Sequence, residues 1–118
     1  MVLTRTAAAG LLLLWANCAS AYTGADQLVR DCTVTPKKSE EAFRQVRCTG
    51  YVGGVLDTYG VVSGLYRNVD IYCAPGEGIT VEAAVGALVQ WIRLHPDKAG
   101  TPSRSALLFA LRERYPCR

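Results

Sequence analysis

The chemically capable residues of this chain are its cysteines, one histidine and a handful of carboxylates, and their spacing assembles no catalytic set. A nucleophilic cysteine needs a free thiolate with a base in reach. Cys32, Cys48, Cys73 and Cys117 are better used in disulfides, because an even set in a short exported chain reads as a covalent framework. His95 stands directly before Pro96 at a helix end, where it serves as a C-terminal cap on the last carbonyls. No serine or cysteine can be named as its partner in a triad. Structural zinc sites bring closely spaced cysteine pairs, and here the cysteines lie far apart. There is no haem-attachment motif and no phosphate-binding glycine loop, and Gly76-Glu77-Gly78 reads as a turn. The expectation is a protein without cofactor, metal or catalysis.

Two sets of carboxylates remain. Glu40 and Glu41 are a solvated helix start. Asp57 lies three residues beyond Gly54 and three before Gly60, on a stripe of glycines. A carboxylate on a closely packed face must find donors. The simpler expectation is a hydrogen bond from a neighbouring helix start or an arginine; the sharper one is a partner contact.

The elements that would position these residues begin after residue 21. Arg5, the apolar run Ala7 to Ala16 and the small residues Ala19-Ser20-Ala21 have the order of a secretory signal, with cleavage before Tyr22. The apolar run is too short for a bilayer core of roughly 30 Å, which takes about 20 residues. Cys18 follows a poor lipobox, Trp15-Ala16-Asn17, so lipidation is not favoured. Residues 22–118 then form one exported domain, with no stable membrane insertion. The whole chain has 13 basic and 10 acidic residues. Loss of Arg5 leaves a formal charge of +2, too mild for a nucleic-acid surface.

Hydrophobic spacing predicts a compact all-α domain of four to five helices. Asp26 to Asp31 reads as a short helix ending at Cys32, and residues 33–38 as a loop. Ser39 caps a second helix through Phe43, Val46, Cys48, Val52, Val55, Tyr59 and Val62, all placed near one face. Gly50, Gly53, Gly54, Gly60 and Gly64 form a stripe that would let another backbone approach closely. Residues 67–78 read as a loop. Thr80 caps a third helix whose inward stripe is Val81, Val85, Leu88 and Ile92, stopped by Pro96. Thr101 with Pro102 at the first helical position starts the last helix, which buries Leu107, Leu108 and Leu111.

Four cysteines allow three pairings and sequence alone does not choose among them. The pairing favoured is Cys32–Cys48 with Cys73–Cys117. In the chain-entropy view the shorter loop contributes about 3 kcal/mol and the longer about 4 kcal/mol.

Read together, Cys48-x-x-Tyr51-x-x-Gly54-x-x-Asp57, Cys73-x-Pro75 leading to Gly78-Ile79-Thr80, Trp91-Ile92-x-x-His95-Pro96, Ala110-Leu111 and Tyr115-Pro116-Cys117 resemble the type VI secretion amidase immunity proteins. The resemblance covers essentially all of the chain after the signal. It departs from the usual pattern in having two residues, Gly76-Glu77, between Pro75 and Gly78, and Glu82-Ala83 after Thr80. It implies a small helical periplasmic protein, often a dimer, that binds and occludes a peptidoglycan amidase. Within that reading the partner-contact region is the 67–77 loop, with Arg67, Asn68, Asp70 and Tyr72. The alternative is an orphan envelope module that binds a different protein.

Overall fold

The computed structural model describes Tyr22 and residues 24–118; the expected signal segment, residues 1–21, lies outside the described residues. Four helices follow one another: α1 (Ala25–Cys32), α2 (Ser39–Leu65), α3 (Val81–Leu94) and α4 (Ser103–Arg114). A single 3₁₀ turn, Pro96–Lys98, joins α3 to the loop before α4. Among the described residues there is no strand. The domain is all-α, as its hydrophobic spacing predicts.

The core lies where α1, α3 and α4 meet the middle of α2. Leu28, Val52, Leu88, Leu107 and Leu111 are its largest apolar fully buried side chains. Small residues let the third and fourth helices approach: Ala84 and Ala87 on α3, Ala106 and Ala110 on α4, all buried. The inward stripe of α3 is therefore turned from the one expected. Leu88 is fully buried, but Val81, Val85 and Ile92 are half-buried flanks, and Trp91 takes the central place.

Local signals explain the helix ends. The Thr80 hydroxyl accepts from the Ala83 N–H at 3.1 Å, the cap expected for α3. Ser39 is not a cap: Lys38 holds that position in extended conformation, and Ser39 is the first helical residue. The start is secured instead by Glu41, whose carboxylate accepts from the Lys37 N–H at 2.7 Å, as the acidic arm of a capping box does. Pro102 likewise stands one position earlier than expected. Its ψ of 132° is extended, and its carbonyl accepts from the N–H groups of Ser105 and Ala106. Ser103 then donates its hydroxyl to the Gly24 carbonyl at 2.9 Å. The orphan N–H groups of α1 are met by the same loop, Ala25 donating to Thr101 O and Asp26 to Ala99 O.

The second helix departs most from expectation. Cys48 and Val52 are buried, with Val55 and Tyr59 packed beside them. Phe43 and Val46 do not share that face; they are 65% and 69% exposed. Nine residues separate Phe43 from Val52, about two and a half turns, so the two side chains point in opposite directions. The glycine stripe is also open within the chain. A Cβ on Gly50, Gly54, Gly60 or Gly64 would meet nothing within 4 Å, and one on Gly53 only a Val81 methyl at 3.8 Å. Among the described helices only the start of α3 comes near the stripe, at Gly53.

Candidate partner-binding surface

Two disulfides fix the elements, and they are the favoured pairs: Cys32–Cys48 and Cys73–Cys117. The first ties α1 to the middle of α2. The second ties the long loop after α2 to the chain end beyond α4.

That loop carries the candidate contact residues, and one buried ring organises it. Tyr72 is only 4% exposed and stacks on Tyr59 with ring centroids 4.1 Å apart. The Tyr59 hydroxyl accepts from the N–H groups of Ile71 and Tyr72, at 2.7 and 3.2 Å, and donates to the Tyr72 carbonyl at 2.9 Å. One phenol thereby satisfies three backbone groups of a segment with no helix or strand of its own. Burial, with the neighbouring Tyr59, pushes the Tyr72 hydroxyl up to about 12. Tyr72 is therefore an anchor rather than a contact residue, which corrects its expected role. Arg67, Asn68 and Asp70 are exposed and bond to no other described side chain. Further along, Gly78 N–H donates to the Pro75 carbonyl at 2.8 Å, with Gly78 at φ 84°, a turn that glycine enters without steric cost.

Between this loop and α2 lies a cleft of about 520 Å³, lined by Asp57, Ser63, Asp70, Cys73 and Gly78 among others. Asp57 is exposed at its edge and takes no hydrogen bond from a helix start or an arginine, contrary to the simpler expectation. The sequence reasoning thus places Asp57 and Asp70 in different motifs, and the fold brings them to one cleft.

A second surface runs along the other side of α2. Gly50, Tyr51, Gly54, Val55, Thr58, Tyr59, Val62 and Leu108 line an open, mainly apolar groove of about 550 Å³. Tyr51 stands edge-on to Tyr22 at 4.9 Å. Its hydroxyl is pushed up by burial and drawn partly back by the positive charge of Arg104.

His95 has the capping place expected of it. Its Nδ1 donates to the Trp91 carbonyl at 2.8 Å, and its backbone N–H bonds to Trp91 O and Ile92 O. Its Nε2 stands 3.8 Å from the Glu113 carboxylate, which also accepts from the Trp91 indole at 3.2 Å. Pro96 follows and opens the 3₁₀ turn. No group of three or more His, Cys, Asp or Glu side chains among the described residues could hold a metal ion. No described helix is long and apolar enough to cross a membrane.

One charged cluster escaped the sequence reading. Asp31 is buried, 3% exposed, and takes hydrogen bonds from Arg44 Nε at 2.7 Å, from the Arg47 guanidinium and from the Tyr22 hydroxyl at 3.0 Å. The Arg47 guanidinium also lies over the Tyr22 ring at 5.0 Å. Burial pushes the Asp31 carboxyl up, but the hydrogen bonds from Arg47, Arg44 and Tyr22 outweigh it and hold the group below its ordinary value. A signal did exist. Asp31 and Arg47 each stand immediately before a half-cystine of the same disulfide, so the Cys32–Cys48 pairing brings them together.

Fold and surface together define a small helical domain, stapled by two disulfides, that presents a tethered polar loop. The chain belongs to the Rap1a immunity protein family, whose pattern matches residues 24–117. This is a type VI secretion immunity family for amidase effectors, so the chain's role is immunity toward a type VI effector protein. Nothing among curated proteins or solved structures matches it.

Proposed function

We propose that this protein works in the periplasm as a non-catalytic inhibitor of a type VI peptidoglycan amidase, by seating its 67–78 loop in the effector's substrate cleft. The observation that carries this reading is the loop's construction. Its backbone is tied down by Tyr59, by Cys73–Cys117 and by the Thr80 cap, while Arg67, Asn68 and Asp70 face outward without partners. A contact segment ordered in advance loses little conformational entropy on binding. Disulfides suit an oxidising compartment. The family membership supplies the effector as partner.

The outer face of α2 belongs to a second copy of the same chain. Phe43, Val46, Val61 and Leu65 are all more than half exposed there, with Gly50 and Gly54 between them. With Gly54 at the centre of an antiparallel pair, Phe43 of one copy meets Leu65 of the other. Bulk then faces bulk at the ends and glycine faces glycine at the crossing.

The test is titration of the oxidised protein into type VI amidases with peptidoglycan cleavage as readout. Loss of cleavage at one inhibitor chain per amidase supports occlusion. Full cleavage at saturating protein across the panel would reject the amidase as target and leave an envelope module for another protein.

A further inference from the structure

The two disulfides are not equally protected. Cys48 is 3% exposed and lies in the core, with Cys32 packed against it. Cys73 and Cys117 are both exposed. Cys73 lines the cleft that holds Asp57 and Asp70, and Cys117 sits in the four-residue tail after α4. Besides the disulfide, one backbone bond joins tail to loop, Cys73 N–H to Tyr115 O at 2.8 Å. Thiol–disulfide exchange requires a thiolate to reach a sulfur, so access sets which bridge is attacked first.

The consequences of opening the two bridges differ as well. Upstream of Cys73 the chain is anchored by the Tyr59–Tyr72 stack; downstream it is anchored by the Thr80 cap. Residues 73–79 are slung between those points and contain Gly76 and Gly78. Their covalent tie to the helical body is Cys73–Cys117. Cutting it leaves every helix with its own bonds and frees one wall of the cleft.

We infer that Cys73–Cys117 is a redox-sensitive clamp on the partner-facing loop, opened by dithiols while Cys32–Cys48 stays closed. The inference rests on the loop being the effector contact only for its effect on inhibition. A dithiol reductant supplies the two electrons. Its thiolate attacks one sulfur of Cys73–Cys117 and forms a mixed disulfide, and the other protein sulfur leaves as thiolate. The second thiol of the reductant then displaces the first protein sulfur. The reductant is left as a cyclic disulfide, and Cys73 and Cys117 each end as a protonated thiol.

The experiment exposes the folded, oxidised protein to graded dithiothreitol at neutral pH, traps thiols with iodoacetamide and maps them by peptide mass. Hydrogen exchange over 73–79, helical circular dichroism and amidase inhibition are read on the same samples. Cys73 and Cys117 are expected to label at least about tenfold faster than Cys32 and Cys48. Helicity should hold, exchange over 73–79 should rise, and inhibition should weaken about tenfold, a loss of preorganisation. A Cys73→Ser, Cys117→Ser double variant should reproduce that state and ignore dithiothreitol. Equal labelling of both pairs overturns the clamp. So does unchanged exchange over 73–79 after selective reduction, or undiminished inhibition of an amidase that the oxidised protein blocks. If the oxidised protein inhibits no amidase, the immunity proposal fails, and labelling and exchange still decide the clamp.

Discussion

Replacing Tyr59 with phenylalanine removes a single oxygen and tests how the exposed loop is held. The ring stack on Tyr72, at 4.1 Å, survives the change. Three hydrogen bonds do not. The Ile71 N–H is exposed and regains water, so its loss costs little. The Tyr72 N–H and C=O are part-buried and lose their protein partner. An unsatisfied buried polar group costs about 1–3 kcal/mol, reduced where water can reach it. The expected destabilisation is therefore about 2 kcal/mol, which lowers Tm by roughly 10 °C in a domain of this size. Urea unfolding followed by circular dichroism gives the stability, and hydrogen exchange at Ile71 and Tyr72 locates the change. Amidase inhibition should fall with it, because a looser loop must be ordered on binding. A stability change below about 0.5 kcal/mol with unaltered exchange at those amides would refute the claim that this hydroxyl organises the loop.

Further outcomes follow from other parts of the structure. Asp31→Ala should cost about 2–3 kcal/mol in urea unfolding, less than for a fully buried pair because Arg44 and Arg47 are about a third exposed and rehydrate. The folded Asp31 carboxyl sits below its ordinary value of 3.8, so its stabilisation is complete above that pH and is lost as pH falls through the folded value. Wild-type Tm should accordingly drop below about pH 4, and the Asp31→Asn variant should show a shallower drop over that range. Gly54→Trp should leave the monomer folded, since a Cβ there meets nothing within 4 Å, but should shift sedimentation from dimer to monomer. An unchanged sedimentation coefficient would exclude Gly54 from the seam. Arg67→Ala with Asp70→Ala should move stability by less than about 0.5 kcal/mol while weakening amidase inhibition, checked by unfolding and titration in parallel.

Helix existence and the disulfide framework were readable because both depend on local or countable features. Pro96 and the Thr80 cap mark their helix ends through backbone chemistry that acts within a few residues. Ser39 and Pro102 misled by one position, because which residue caps is decided by flanking ψ and by reach, as Glu41 to Lys37 shows. The inward faces of α2 and α3 were harder to read. On α3, four alanines and glycines let Trp91 and Leu88 dominate, so the valines slid to the flank. On α2, apolar residues occur on both sides, because Cys48 and Val52 pack inward while Phe43, Val46, Val61 and Leu65 remain outside. Spacing cannot tell a core stripe from a second apolar stripe, and for the same reason the glycines between them leave open whether the approaching backbone belongs to this chain or to a second copy. Asp57 was legible as unusual but not as unpaired. The Asp31 cluster follows only once Cys32 is paired with Cys48, since its arginines lie on another helix. Tyr72 reads as a contact in the sequence because aromatic residues in loops face partners or the core with equal signal, and the Tyr59 stack decides between them.

On the proposed function, the tethered loop blocks an amidase. The most direct measurement is peptidoglycan cleavage by type VI amidases as a function of added oxidised protein, run beside the Arg67→Ala, Asp70→Ala variant. At least one amidase should lose its activity at one inhibitor chain per enzyme, and the variant should block it less well at equal stability. Complete cleavage at every concentration across the panel, or equal inhibition by wild type and variant, would contradict it.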